Sequence, residues 1–297
     1  MDDSKPANKG VQASVAILRD PITDQKYFFK AHKSTSVFRQ ERKILFGLGN
    51  NVTPQAICFM LKPEKGIVME LAGGGDLYSD SWYRPDNPLR FDNYQQLIQA
   101  VAYFVASVAA IHSKGYLHND LRPSNVIFSH PHRLQVIDFG LSRKIGKKGF
   151  HSRCTLNSPP ETAFLSDHKD RFQNINSTSS DWYTVGVLTH FFMAKSLFCI
   201  KPQNFDEDAC SPGQQEMFWP YKSLRIDSES KEVIYDWTPP SPVPFPVDLK
   251  DFLSKLIVVD PLKRDFRGVK LVELLQHPLF SSIDWNLINP KLNRINQ

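Results

Sequence analysis

Two polar clusters separated by an apolar hairpin constrain this chain more than any other stretch. His118-Asn119-Asp120-Leu121-Arg122-Pro123-Ser124-Asn125 ends against the apolar run Val126-Ile127-Phe128, and a second apolar run, Leu134 to Ile137, leads straight into Asp138-Phe139-Gly140. With Ser129-His130-Pro131-His132 between them, these runs predict two short strands joined by a turn. Such a hairpin gathers Asp120, Asn125 and Asp138 at one end. A carboxylate placed there can orient an attacking hydroxyl, and a carboxylate with an amide oxygen can hold magnesium on nucleotide phosphates.

The 297 residues suffice for one large domain or two lobes with a sizeable core. A hydrophobic share of 41% and a charged share of 23% are those of a globular protein. The net charge of +5 is mild, and no basic run carries interleaved aromatics, so nucleic-acid binding is not expected. Cys58, Cys154, Cys199 and Cys210 form no C-x-x-C pair and show no metal spacing, which fits free thiols in a reducing compartment. Met1-Asp2-Asp3-Ser4-Lys5 is too polar for a signal peptide, and no apolar run approaches the ~18 residues of a membrane span. The expectation is an intracellular protein of the cytoplasm or nucleus. Asn51-Val52-Thr53 and Asn176-Ser177-Thr178 then read as chance matches to a glycosylation pattern.

In chain order, Val11 to Arg19 and Tyr27 to Ala31 predict a hairpin across a turn-rich linker, the second strand ending in Lys30. Ser34-Thr35-Ser36 can cap a helix in which Val37, Phe38, Glu41, Ile44 and Leu45 recur at helical spacing. A carboxylate at Glu41, on or near that apolar face, invites a cation, and Lys30 is the obvious candidate. Gln55 to Leu61 and Gly66 to Leu71 predict a further strand pair. Ala72-Gly73-Gly74-Gly75-Asp76 then reads as a flexible connector between lobes rather than a phosphate cradle. Tyr94 to His112 is apolar on most sides, hence a buried helix. A basic, polar segment from Leu141 ends in Pro159-Pro160-Glu161, and Ser177 to Asp181 opens another buried helix. Residues 200 to 246, rich in Pro and charge, predict an extended or irregular excursion, and Asp248 to Val259 and Lys270 to Gln276 predict two helices. There is no internal repeat.

In this order the motifs resemble those of the eukaryotic protein kinase family over nearly the whole chain, through an H-x-D-L-x-x-x-N loop followed by D-F-G. The resemblance implies an α+β, bilobal fold: a small β-rich N-lobe over residues 1–71, a hinge at 72–76 and a larger, mainly α-helical C-lobe over 77–297. It further implies a Ser/Thr protein kinase that uses ATP and Mg²⁺ on protein substrates, with a regulatory protein as a possible partner. Lys30 matches the strand lysine that contacts the α/β-phosphates, and Glu41 matches its helix partner. Met69 stands as gatekeeper, with the Glu70 and Ala72 backbone facing adenine, and Gly10, Val15, Phe28 and Asp76 complete the nucleotide site. Asp120 corresponds to the catalytic aspartate, Asn125 and Asp138 to the magnesium ligands, and Arg122 replaces the lysine usual in Ser/Thr kinases. Asp181 matches the aspartate that braces the catalytic loop, and Arg264 the partner of Glu161 in A-P-E. The hinge, Gln276-His277-Pro278-Leu279-Phe280 and Ile283-Asp284-Trp285 look most like the AGC group, whose hydrophobic C-terminal tail motif is not evident before Gln297.

The chain departs from the family at further places. The glycine-rich loop aligns as Asn8-Lys9-Gly10-Val11-Gln12-Ala13-Ser14-Val15, with one glycine of three, so close backbone approach to phosphate is weakened. The segment before it is a poor strand, so the first strand is expected to be absent or frayed. Phe28 stands where most kinases have alanine, on the adenine side. Asn119 replaces an arginine that normally pairs with an activation-segment phosphate, so phosphorylation there has less to act through. These departures keep a second reading open, a pseudokinase acting as scaffold or allosteric activator.

Overall fold

The computed structural model describes residues 13–49, 51–79, 91–129, 132–147, 159, 177–197, 224–226, 233–235, 246–258 and 260–289. Its N-terminal part is a four-stranded antiparallel sheet of β1 (Ala13–Arg19), β2 (Lys26–His32), β3 (Ala56–Met60) and β4 (Gly66–Glu70), in the order β1-β2-β4-β3. The β1–β2 turn is tied by Asp20, whose Oδ1 accepts the Ile22 and Thr23 N–H groups at 2.8 and 3.2 Å. Register sets Val15 against Lys30, Ile17 against Phe28, and Phe28 in turn against Met69. Since side chains alternate along a strand, Val15, Ile17, Phe28, Lys30 and Met69 share one face. On the other face, Gly66 makes room for Phe29, whose ring would lie 2.2 Å from an added Cβ.

Helix α1 (Thr35–Leu45) starts where Ser34 caps the Val37 N–H, as the serine cluster predicts. It buries Phe38, Glu41, Ile44 and Leu45, so the glutamate does lie on the apolar face. Helix α2 (Tyr94–Ser113), capped by Asn93, is buried along nearly its whole length. By length and composition it is the one helix among the described residues that could cross a membrane, but 83% of that stretch is enclosed by the protein, and we read it as the core helix of the C-terminal part. Leu97, Ile98, Val101, Phe104, Val105 and Val108 are each at most 2% exposed. Burying side chains of this size contributes about 1.5–3 kcal/mol each.

Chain leaving α2 forms β5 (Tyr116–Leu117), then the hairpin β6 (Val126–Ser129) and β7 (Arg133–Val136), then β8 (Arg143–Lys144), which pairs with β5. Helix α3 (Thr178–Leu197) packs on α2 and on α4 (Val247–Leu256), with α5 (Val269–Leu275) and the short α6 (Trp285–Ile288) completing the helical part. Helix α4 stops three residues short of the predicted end, at an Ile257 with non-helical backbone (φ −91°, ψ 73°) ahead of Pro261. Within the stretch expected to be irregular, β9 (Leu224–Ile226) and β10 (Val233–Tyr235) form an antiparallel pair. The Pro239 to Pro244 run, the expected frayed first strand and the anticipated Asn8–Val15 loop up to Gln12 lie outside the described residues, while Ala13 to Val15 of that loop lie in β1.

The glycine-rich connector is not free chain. Gly74 donates to the Phe128 carbonyl at 3.0 Å, Phe128 donates to Gly75 at 2.8 Å, and Asp76 bridges to Ile127. A Cβ on Gly74 would lie 2.4 Å from the Phe128 oxygen, and Gly75 has φ +75°. Gly74 therefore permits close approach to the β6 edge, and Gly75 supplies the left-handed turn beside it.

Candidate active site

Strand β2, helix α1 and the Asp138 turn meet at one buried ion cluster. Lys30 Nζ donates to both Glu41 oxygens at 2.8 and 3.0 Å and to Asp138 Oδ1 at 2.7 Å. Side-chain exposures of 10%, 1% and 45% put the first two in the interior and Asp138 at the rim. Burial alone would lower the Lys30 pKa, but the Glu41 and Asp138 carboxylates outweigh it and raise it, so the ammonium stays charged. Asp138 is the mirror case: burial pushes its carboxyl up, while Lys30 and the Gly140 N–H together bring it below the ordinary value. Glu41 also accepts the Phe139 N–H at 3.3 Å and His32 Nε2 at 2.6 Å. Gln40 Nε2 reaches the Ser142 carbonyl at 2.6 Å, a second tie between α1 and the segment after Asp138.

Asp138 itself has φ 63°, a conformation that costs a non-glycine residue about 1–3 kcal/mol and that its surroundings must hold. They do so with the Gly140 N–H on Oδ1 at 3.2 Å and with Phe139 fully buried against the His118 ring, centroids 5.1 Å apart.

The loop before β6 is fixed from two sides. Behind it, Asp181 on α3 accepts the His118 and Asn119 N–H groups at 2.8 and 3.0 Å and His112 Nε2 from α2 at 2.8 Å. In front, Asn125 Nδ2 donates to the Asp120 carbonyl at 2.8 Å and to Asp120 Oδ2 at 3.0 Å. The hairpin closes the unit: Ile137 N–H donates to the Asn125 carbonyl at 2.9 Å, and His118 Nε2 lies 2.9 Å from the Ile137 carbonyl. Desolvation raises the Asp120 pKa; His118 and Arg122 counter part of that, and Asp138 adds to it. Asn119 takes φ 63°, and its amide atoms find no partner among the described residues. Arg122 stands exposed.

Asp120, Asn125, Asp138, Lys30 and Glu41 are thus in one place. An oxygen-only donor set suits a hard cation such as magnesium. Asn125 spends Nδ2 on Asp120 and keeps Oδ1, while Asp138 uses Oδ1 for both protein partners and keeps Oδ2, so an amide and a carboxylate oxygen remain for a cation. Above the cluster, Val15 and Phe28 are half-buried on the Lys30 face of the sheet, with Met69 buried. Glu70 donates its N–H to Gln55, and Ala72 makes no hydrogen bond among the described residues, which leaves both its peptide groups available. Asp76 Oδ1 accepts the Tyr78 and Ser79 N–H groups at 2.9 and 2.7 Å. Gly10, Pro160 and Glu161 lie outside the described residues; Arg264 is fully buried, donating to the Ser179 carbonyl at 3.1 Å. His32 and Gln40 were not anticipated from sequence. The period-2 rule offered a signal for His32, which follows Lys30 by two residues and so faces the same side.

The geometry agrees with what this chain is similar to. The protein kinase domain family matches residues 22–280. Citron rho-interacting kinase of Rattus norvegicus is 24% identical over 290 residues, covering 93% of this chain and 13% of that protein. Serine/threonine-protein kinase PKH3 of Eremothecium gossypii is 28% identical over 230 residues, covering 74% of this chain and 26% of that protein. The chain therefore spans only a fraction of the length of these relatives. Among solved structures, the Cydia pomonella granulovirus kinase PK-1 superposes with a TM-score of 0.62 at 20% identity, covering 93% of this chain and 94% of its own, a likeness of fold. The sheet, the helical part and the paired loops between them are those of the bilobal kinase fold, and the chain belongs to the protein kinase family.

Proposed function

We propose that the protein is an active kinase, transferring the γ-phosphate of ATP to Ser or Thr hydroxyls of protein substrates inside the cell. The observation that carries this reading is the Lys30 ammonium shared between Glu41 and Asp138, at 2.8 and 2.7 Å, in front of an Asp120 held by Asn125. A lysine so placed can leave Asp138 for the α/β-phosphates while Glu41 keeps it in position. Asp120, fixed through Asn125 and the Asp181 brace, orients the attacking hydroxyl in line and accepts its proton. The free oxygens of Asn125 and Asp138 would hold magnesium, which when bound offsets charge on the transferring phosphoryl group. Arg122, exposed beside Asp120, would add positive charge near the γ-phosphate. Val15 and Met69 would enclose the adenine, which Phe28 would face and crowd, with the Glu70 carbonyl and Ala72 peptide groups facing its edge and Gly10 over the phosphates. Asp76, already turned toward its own loop, would meet the ribose side.

The division into an N-lobe of residues 1–71, a hinge at 72–76 and a C-lobe of 77–297 is part of the same reading. It is supported by the four-stranded sheet, which ends with β4 at Glu70, and by the helical part that begins with α2. The name of the PKH3 relative supports Ser/Thr specificity. A second reading, a pseudokinase scaffold, is favoured by Phe28, which occupies the nucleotide-facing side opposite Met69. The test is Mg·ATP binding by thermal shift, followed by phosphate transfer to a generic protein substrate, in the wild type and in Asp138→Ala. The active reading expects a shift and transfer in the wild type and loss of transfer in the variant. No binding at millimolar nucleotide would favour the scaffold.

A further inference from the structure

We propose that His32 is a positioning residue that holds Glu41, and through it Lys30, in the arrangement used for nucleotide binding. This rests on the roles of Lys30 and Glu41 proposed above. His32 ends β2 two residues after Lys30, so strand alternation sends both side chains to the same face. Its side chain is 1% exposed, as is that of Glu41, and its Nε2 lies 2.6 Å from Glu41 Oε2. Glu41 is held by Lys30, an ion pair with a carboxylate that can only accept, so the imidazole donates through Nε2. The ring is set edge-on to Phe38, centroids 5.6 Å apart, and Nδ1 has no partner among the described residues.

That unpartnered Nδ1 separates a positioning role from mere packing. An apolar side chain in the same place would fill the space beside Phe38 and leave no buried nitrogen unpaired, so a packing role favours leucine over histidine. What histidine alone supplies is the bond to Glu41. The other groups facing that carboxylate are Lys30 and the Phe139 N–H, with Asp138 competing for the lysine. Lys30 is on a flexible stem and is drawn toward Asp138 and, in the proposed reaction, toward phosphates. His32 is short and fixed on a strand. It therefore keeps Oε2 in place while the lysine changes partners, as the Phe139 N–H does for Oε1.

The experiment uses the full chain with His32→Leu, which removes the donor, and His32→Gln, which keeps one at similar reach. Transfer kinetics should show kcat falling roughly 10- to 100-fold in His32→Leu without a lower Tm, the scale of loss for misplaced catalytic groups. His32→Gln should recover most of it, and His32→Leu should add nothing in a Glu41→Gln background. A second arm needs no catalysis. Histidine-selective ¹⁵N spectra should show a protected Nε2–H signal that is absent in His32→Leu and shifted in Glu41→Gln. Mg·ATP affinity should weaken in His32→Leu and return in His32→Gln. If the wild type transfers no phosphate but these spectral and affinity changes appear, the active-kinase reading fails and the positioning role stands. If Glu41→Gln leaves the His32 resonances unmoved, or His32→Leu keeps wild-type kinetics and affinity, the positioning role is overturned.

Discussion

At the scale of single residues, Phe28 bears most directly on the proposed nucleotide site. It is half-buried, lies between Ile17 and Met69 in register, and shares the Lys30 face. A benzyl group there takes volume that adenine would use, and moving it aside costs side-chain packing. Phe28→Ala is expected to tighten Mg·ATP binding by about tenfold, equivalent to ~1.4 kcal/mol, as read by calorimetric titration. Unchanged or weaker binding would show that Phe28 is a wall of the pocket and no obstruction. The identity of this residue was legible in the sequence, since a strand running through Lys30 fixes which neighbours share its face. That His32 two residues further on turns onto Glu41 was not, because alternation gives the side and not the partner.

Among the helices, the packing of α3 depends on a missing side chain. A Cβ on Gly186 would come 2.7 Å from Leu256 Cβ and 2.8 Å from Ile257 Cγ1, at the end of α4. Leu256 Cβ is bonded to the backbone and cannot swing away, so even with a rotation of Ile257 the helices would have to separate. Gly186→Ala should therefore destabilise the protein by about 1–3 kcal/mol despite alanine's better helix propensity, measured as a lower midpoint in urea. A gain in stability would mean that the helices can part without loss. Sequence periodicity located α1, α2, α3, α4 and α5 to within a few residues. It misjudged the glycines of the 72–76 segment, because a run of glycines reads alike whether it gives freedom or permits close contact; only Phe128, packed across it, distinguishes the two.

For the molecule as a whole, Asp181 is the junction through which α2, α3 and the loop carrying Asp120 become one unit. Burial alone would raise its pKa; His112 and the His118 N–H more than reverse this and hold it below the ordinary value. A depressed folded pKa stabilises the protein fully above the unfolded value of ~3.9, and the contribution is lost as pH falls through the lower folded value. Asp181→Asn should thus cost on the order of 3 kcal/mol in urea unfolding at pH 7, about the same at pH 5, and progressively less below about pH 4. A difference that shrinks between pH 7 and 5 would contradict this assignment. The sequence by itself determined the order of β1 to β4 and of α1 to α5, the hairpin between Asn125 and Asp138, and the residue types able to hold magnesium and accept a proton. These follow from local periodicity and from spacing along the chain. Only the tertiary structure decided that Lys30 is shared with Asp138, that His32 joins the cluster, that Gln40 ties α1 to Ser142, and that the glycine segment is tied down. Each of these is a contact between segments far apart in the chain or on different elements, and whether such side chains meet depends on how the sheet, α1 and the helical core pack together.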